Sequence, residues 1–130
     1  MIVLDTHIWV WWVHGDERLT RSQSETIEAN EAGTIGVSAI SYWEVAKLVE
    51  YGRLALPCDL REWFDQALSY PGVQLIDLTP EIAIASTQLS GEFHRDPADQ
   101  IIVATAMLNE CPLVTADRKI LEYSHLQTVG

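Results

Sequence analysis

No run of apolar residues in this chain approaches the roughly 20 needed to cross a bilayer, and no charged-then-apolar leader precedes a small-residue cleavage site. The expectation is a soluble, cytoplasmic protein without a membrane partner. Cysteine is scarce. Cys58 and Cys111 lie far apart, form no C-x-x-C pair and have no histidine at finger spacing, so reduced structural thiols are expected rather than a zinc site or a disulfide framework. Basic residues are also few, 8 Lys and Arg against 19 Asp and Glu, for a net charge of -11. Contacts from Lys and Arg to phosphate normally dominate nucleic-acid affinity. Such a charge therefore speaks against a nucleic-acid partner, unless several acids share a divalent cation that meets phosphate in their place. It also predicts a basic partner. Repeats, linkers and low-complexity segments are missing too, and 130 residues suit a single domain spanning 1-130.

Short apolar runs alternate with helical patterns along the chain. Ile2 to Leu4, Ile35 to Val37, Val73 to Ile76 and Leu113 to Thr115 read as strands, with a last edge strand between Leu126 and Val129. Helices are expected over Thr6 to His14, Thr20 to Ala32, Ile40 to Tyr51, Leu60 to Leu68, Pro80 to Leu89, Pro97 to Leu108 and Asp117 to Glu122. Thr79-Pro80 and Asp96-Pro97 are cap-then-proline starts, while Gly33 and Gly52 stand where helix C-termini favour positive φ. The implied fold class is α/β, a three-layer α/β/α sandwich on a mostly parallel sheet of four to five strands. In such a sheet the strand C-termini and helix N-termini open on one edge, where ligands bind.

Five acids fall on that edge. Asp5 ends the first strand, Asp117 follows the fourth by two residues, Glu44 is placed in the first turn of the helix after the second strand, and Asp96 and Asp99 bracket Pro97. Each has a capping explanation, because helix N-termini favour Asp and Glu. Ser41 and Glu44 fit a capping box if their helix starts one turn later, Asp117 fits the cap of a short helix, and Asp96 is read as an N-cap. The other four come from separate stretches of chain. Clustered carboxylates repel unless a cation is shared among them, and oxygen-only ligation suits Mg²⁺ or Mn²⁺ better than Zn²⁺. Water activated by that metal is then the expected nucleophile for in-line attack on a phosphodiester.

Four ordered segments carry a resemblance: MIVLDTHIWVWW with Asp5, SAISYWEVAKLVEYGRL with Glu44, HRDPADQIIVATA with Asp99, and LVTADRKI with Asp117. Over nearly its whole length the chain resembles the PIN-domain ribonucleases, most closely the VapC-type toxins of bacterial toxin-antitoxin pairs. The resemblance implies that Asp5, Glu44, Asp99 and Asp117 bind Mg²⁺ or Mn²⁺ and support RNA hydrolysis. It also implies a homodimer silenced by an antitoxin whose segment lays basic residues toward the acids and apolar residues in a nearby groove. Thr115 matches a hydroxyl beside the fourth acid, and Thr6 is a candidate for holding Asp5. Gln100 departs from the pattern, since many relatives carry Arg directly after the third acid. Asp96 competes with Asp99 by proximity, but Asp99 precedes the apolar helix run as the pattern requires.

Arg95 and Arg118 flank the acids and are candidates for clamping phosphate, against the commoner role of ion-pair partner to surplus acid. His7, His14, His94 and His125 show no paired spacing and read as structural or surface residues. Of five tryptophans, Trp9, Trp11 and Trp12 cannot all enter one core from one helix, so Trp11 and Trp12 are candidates for a partner surface. A haloacid-dehalogenase-like phosphatase wants D-x-D where Asp5, Thr6 and His7 stand, and a receiver domain wants an acidic pair ahead of its phosphorylated Asp. The remaining alternative is a catalytically silent interaction module on the same fold.

Overall fold

The computed structural model describes residues 1–130. Five strands, β1 (Ile2–Leu4), β2 (Ile35–Ser38), β3 (Val73–Ile76), β4 (Leu113–Val114) and β5 (Thr128–Val129), form one sheet in the order β3-β2-β1-β4-β5. Every neighbouring pair is parallel. The helices are α1 (Thr6–His14), α2 (Arg21–Ala29), α3 (Ala39–Glu50), α4 (Leu60–Ala67), α5 (Pro80–Ser86), α6 (Pro97–Leu108) and α7 (Arg118–Leu121). None is long and apolar enough to cross a membrane.

Alternation along the central strands sends side chains to two cores. Ile2 and Leu4 join Ile35, Val37 and Val114 in one cluster with Ile8 and Trp9 of α1, Ile27 of α2 and Trp63 of α4. Val3 and Leu113 point the other way, into a cluster with Ile102, Val103 and Ala106 of α6, Ile120 of α7 and Cys111. Both central strands are therefore covered on both faces, the expected sandwich. Trp9 and Trp63 anchor the first core edge to face, with ring centroids 4.9 Å apart; the Trp63 indole N–H donates to His14 Nε2 at 2.8 Å, while that of Trp9 is buried without an acceptor. Both cysteines are free thiols.

Helix starts follow their signals. Thr20 and Gln23 form a reciprocal capping box, Thr79 and Asp96 cap helices that begin with proline, and Asp59 caps α4. Helix ends differ more. The helix expected to reach Ala32 stops at Ala29, because the Asn30 side chain donates to the Thr26 carbonyl at 2.8 Å and closes the last turn. Gly33 consequently sits in the following turn, outside the positive-φ glycines. The helix expected to reach Leu89 ends at Ser86, where the Ser86 and Thr87 hydroxyls take the carbonyls of Ala83 and Ile84.

Strand order reverses between β1 and β4. In an open parallel sheet this reversal leaves a crevice beyond the strand C-termini, and the acidic residues gather there.

Candidate metal centre

Asp5 is the first residue beyond β1 and the N-cap of α1. Its Oδ1 accepts from the Thr6 N–H at 2.8 Å and its Oδ2 from the Thr115 hydroxyl at 2.7 Å. The Thr115 oxygen in turn accepts from the Asp117 N–H at 3.0 Å. One hydrogen-bonded chain thus links the ends of β1 and β4. Asp117 caps α7, accepting from the Lys119 N–H at 2.8 Å, so capping and membership of the acidic cluster hold together for it.

Glu44 lies in the second turn of α3, not the first, and the capping box with Ser41 does not form. Ser38 caps this helix instead, and Ser41 is buried inside it. The Thr6 hydroxyl donates to Glu44 Oε1 at 2.5 Å, which spends its only proton. Ser41, 2.8 Å from the same Thr6 oxygen, is then the donor in that pair. Thr6 therefore touches both acids, Asp5 through its backbone and Glu44 through its hydroxyl.

Asp99 occupies the third position of α6 behind Asp96, whose Oδ1 accepts from the N–H groups of Ala98 at 3.0 Å and Asp99 at 3.4 Å. Asp5, Glu44, Asp96, Asp99 and Asp117 line one cleft of about 370 Å³ together with His7, Trp11 and Ala116. Burial, then repulsion from Asp5, Asp96, Glu44 and Asp117, pushes the Asp99 carboxyl up to about 8. Burial likewise raises Glu44 and Asp5, opposed by the hydroxyl bonds from Thr6 and Thr115.

No Lys or Arg lies within ion-pair distance of any of the five; the basic ion pairs are Arg18 with Asp16, Arg21 with Glu25 and Lys47 with Glu50. Arg95 and Arg118 are exposed and pair with no acid, so the ion-pair role expected for them is not what the structure has. A crowd of partly buried carboxylates without a Lys or Arg partner suits a divalent cation, whose charge relieves the repulsion among them.

His94, whose spacing in the sequence reads as structural or surface, belongs to this cluster. Its Nε2 lies 3.1 Å from Asp99 Oδ2, and ligand atoms of His94, Asp99 and Asp117 lie within 4.8 Å of one another, a group able to hold a metal ion. The available signal was the H-x-D-P turn, since a cap at Asp96 folds the preceding residues back over the first turn of α6. His7 is at the surface but lines the same cleft. Gln100 donates to the His94 carbonyl at 3.1 Å, so at this position an amide anchors the loop. Trp11 faces the cleft with Arg18 over its ring at 5.0 Å, Trp12 packs against Tyr70, and Trp43, 55% exposed, is the most open tryptophan.

A parallel sheet with its acids at the β1/β4 reversal defines a class, and the chain belongs to the PIN-domain family, whose model matches residues 2–126. Among individual proteins it is similar to Ribonuclease VapC22 of Mycobacterium tuberculosis (strain ATCC 25618 / H37Rv), with 34% identity over 128 residues, 98% of this chain and 95% of that protein. In fold it resembles a chain of VapBC2 from Rickettsia felis, solved bound to a DNA fragment from the promoter. The TM-score is 0.69 at 21% identity, covering 98% of this chain and 97% of that one. A chain of a toxin-antitoxin complex from Klebsiella pneumoniae matches with a TM-score of 0.68 at 22% identity, over 100% and 97% of the two chains.

Proposed function

We propose that residues 1–130 act as one nuclease domain that hydrolyses RNA phosphodiester bonds with Mg²⁺, or Mn²⁺ in its place, as the cytoplasmic toxin of a type II toxin-antitoxin pair. The observation that carries this reading is the cleft of five acids without a Lys or Arg counter-charge, on a PIN-domain chain similar to a protein named a ribonuclease.

Asp5, Glu44, Asp99 and Asp117 are the ligating carboxylates. Thr115 and Thr6 fix the rotamers of Asp5 and Glu44 through the bonds described, leaving each carboxylate further lone pairs for a ligand. Asp96 holds the first turn of α6 so that Asp99 faces the cleft. Bound there, the cation supplies Lewis-acid charge and a nucleophile at neutral pH. Arg95 and Arg118, exposed and unpaired beside the acids, are suited to meet the phosphates of the incoming strand.

The partner reading rests on charge and shape. An antitoxin segment with basic residues complements a chain of net charge -11. Its apolar residues have an apolar groove available, lined by Val13, Leu56, Pro57, Trp63 and Tyr70 between α1 and α4. A homodimer is part of the same proposal.

The test is cleavage of mixed cellular RNA by purified, antitoxin-free protein, with Mg²⁺ or EDTA, comparing wild type with Asp5→Ala. Discrete products requiring both metal and Asp5 are expected. A folded, metal-replete protein that cuts nothing would favour the silent interaction module.

A further inference from the structure

We propose that His94 is a positioning residue for Asp99, donating from Nε2 to one carboxylate oxygen so that the other is presented to the cation; this rests on the metal-centre reading above.

Three contacts hold His94 in place. The Asp96 N–H donates to its Nδ1 at 3.3 Å, the Gln100 amide donates to its carbonyl at 3.1 Å, and the Phe93 ring stacks on its imidazole with centroids 4.5 Å apart. Because Nδ1 accepts, the neutral ring carries its proton on Nε2. That nitrogen is closed off from solvent and makes no aligned hydrogen bond, while Asp99 Oδ2 stands 3.1 Å away. Buried donors cost free energy unless they are satisfied, and a carboxylate turns readily about its broad terminal torsion. In the arrangement proposed, Asp99 turns into line with that N–H.

Direct ligation by Nε2 would require the opposite tautomer. The proton would then sit on Nδ1, facing the Asp96 N–H, donor against donor. Sharing a proton with Asp99 from outside the cation's ligand set meets every contact the loop makes. It also explains Gln100, whose amide fixes the backbone from which His94 reaches Asp99. Hydrogen bonds to ligating carboxylates set their orientation, and losing one typically costs about 10- to 100-fold in metal affinity or activity.

The test is Mn²⁺ binding to the full chain by titration calorimetry, joined with pulsed electron paramagnetic resonance for coordinated nitrogen. Wild type is compared with His94→Asn, whose short amide still meets the Asp96 N–H but cannot reach Asp99, and with His94→Gln, whose longer amide can. Binding about 10- to 100-fold weaker in His94→Asn, recovery in His94→Gln, unchanged metal-free melting temperatures and no directly coordinated nitrogen in wild type are expected. Equal affinities in wild type and His94→Asn, or a coordinated nitrogen that vanishes in His94→Asn, would overturn the positioning role while leaving the metal centre intact. A wild-type protein that takes up no Mn²⁺ would sink both.

Discussion

Asp99 is where the repulsion among the acids becomes measurable. Its carboxyl is raised from 3.8 to about 8, chiefly by burial and then by the neighbouring carboxylates. Between those values the folded, metal-free protein keeps a proton that the unfolded chain has released. The contribution of Asp99 to stability is therefore complete below about pH 4 and is lost as pH rises toward 8. Thermal melts in EDTA from pH 5 to 8 should show a decline in wild type that is flatter in Asp99→Asn, with the variant melting higher at pH 8. Parallel curves would mean that the group is already ionised. The same variant should lose metal-dependent RNA cleavage, which separates a ligand from a helix-stabilising acid. Thr6 shows what sequence hides at this scale. Its hydroxyl donates to Glu44, 38 positions away, a contact that depends on how α1 and α3 pack and leaves no trace in local spacing.

Elements were legible wherever a start signal was strong. Asp96-Pro97 and Thr79-Pro80 open helices as expected because proline's fixed φ and missing N–H suit the first turn alone. Ends were less legible, since side chains such as Asn30, Ser86 and Thr87 compete for the last carbonyls and stop a helix that its residues would otherwise continue. One glycine is required by the fold between elements. Gly72 precedes β3 at φ +82, its carbonyl accepts from Ile35 N–H at 2.7 Å, and a Cβ there would lie 2.7 Å from the Glu31 backbone oxygen. Gly72→Ala combines a left-handed conformation, worth roughly 1–2 kcal/mol, with a clash against backbone that cannot swing away. A loss of more than about 2 kcal/mol in urea unfolding is expected. A loss below about 0.5 kcal/mol would show that the turn rebuilds at little cost.

For the whole molecule, five of the 19 acids converge on one crevice without a Lys or Arg partner, so a cation that binds the folded form alone should stabilise it. At 100-fold its dissociation constant Mg²⁺ or Mn²⁺ adds roughly 2.7 kcal/mol, which for a domain of this size raises Tm by about 10 °C. Calorimetric scans with and without millimolar metal check this, and an unmoved Tm would count heavily against a shared site. The sequence by itself determined the alternation of strands and helices and the two-faced burial of the sheet, because hydrophobic period and capping chemistry act over a few residues. It also placed Asp5, Glu44, Asp96, Asp99 and Asp117 on the ligand edge, since that edge follows from parallel strands. Only the tertiary structure decided the order β3-β2-β1-β4-β5 and, with it, that Asp5 and Asp117 meet across the reversal through Thr115. It alone brought His94 against Asp99, left Arg95 and Arg118 without acidic partners, and turned Trp11 toward the cleft. Those outcomes depend on distances between segments remote in the chain, which are set by packing rather than by any local preference.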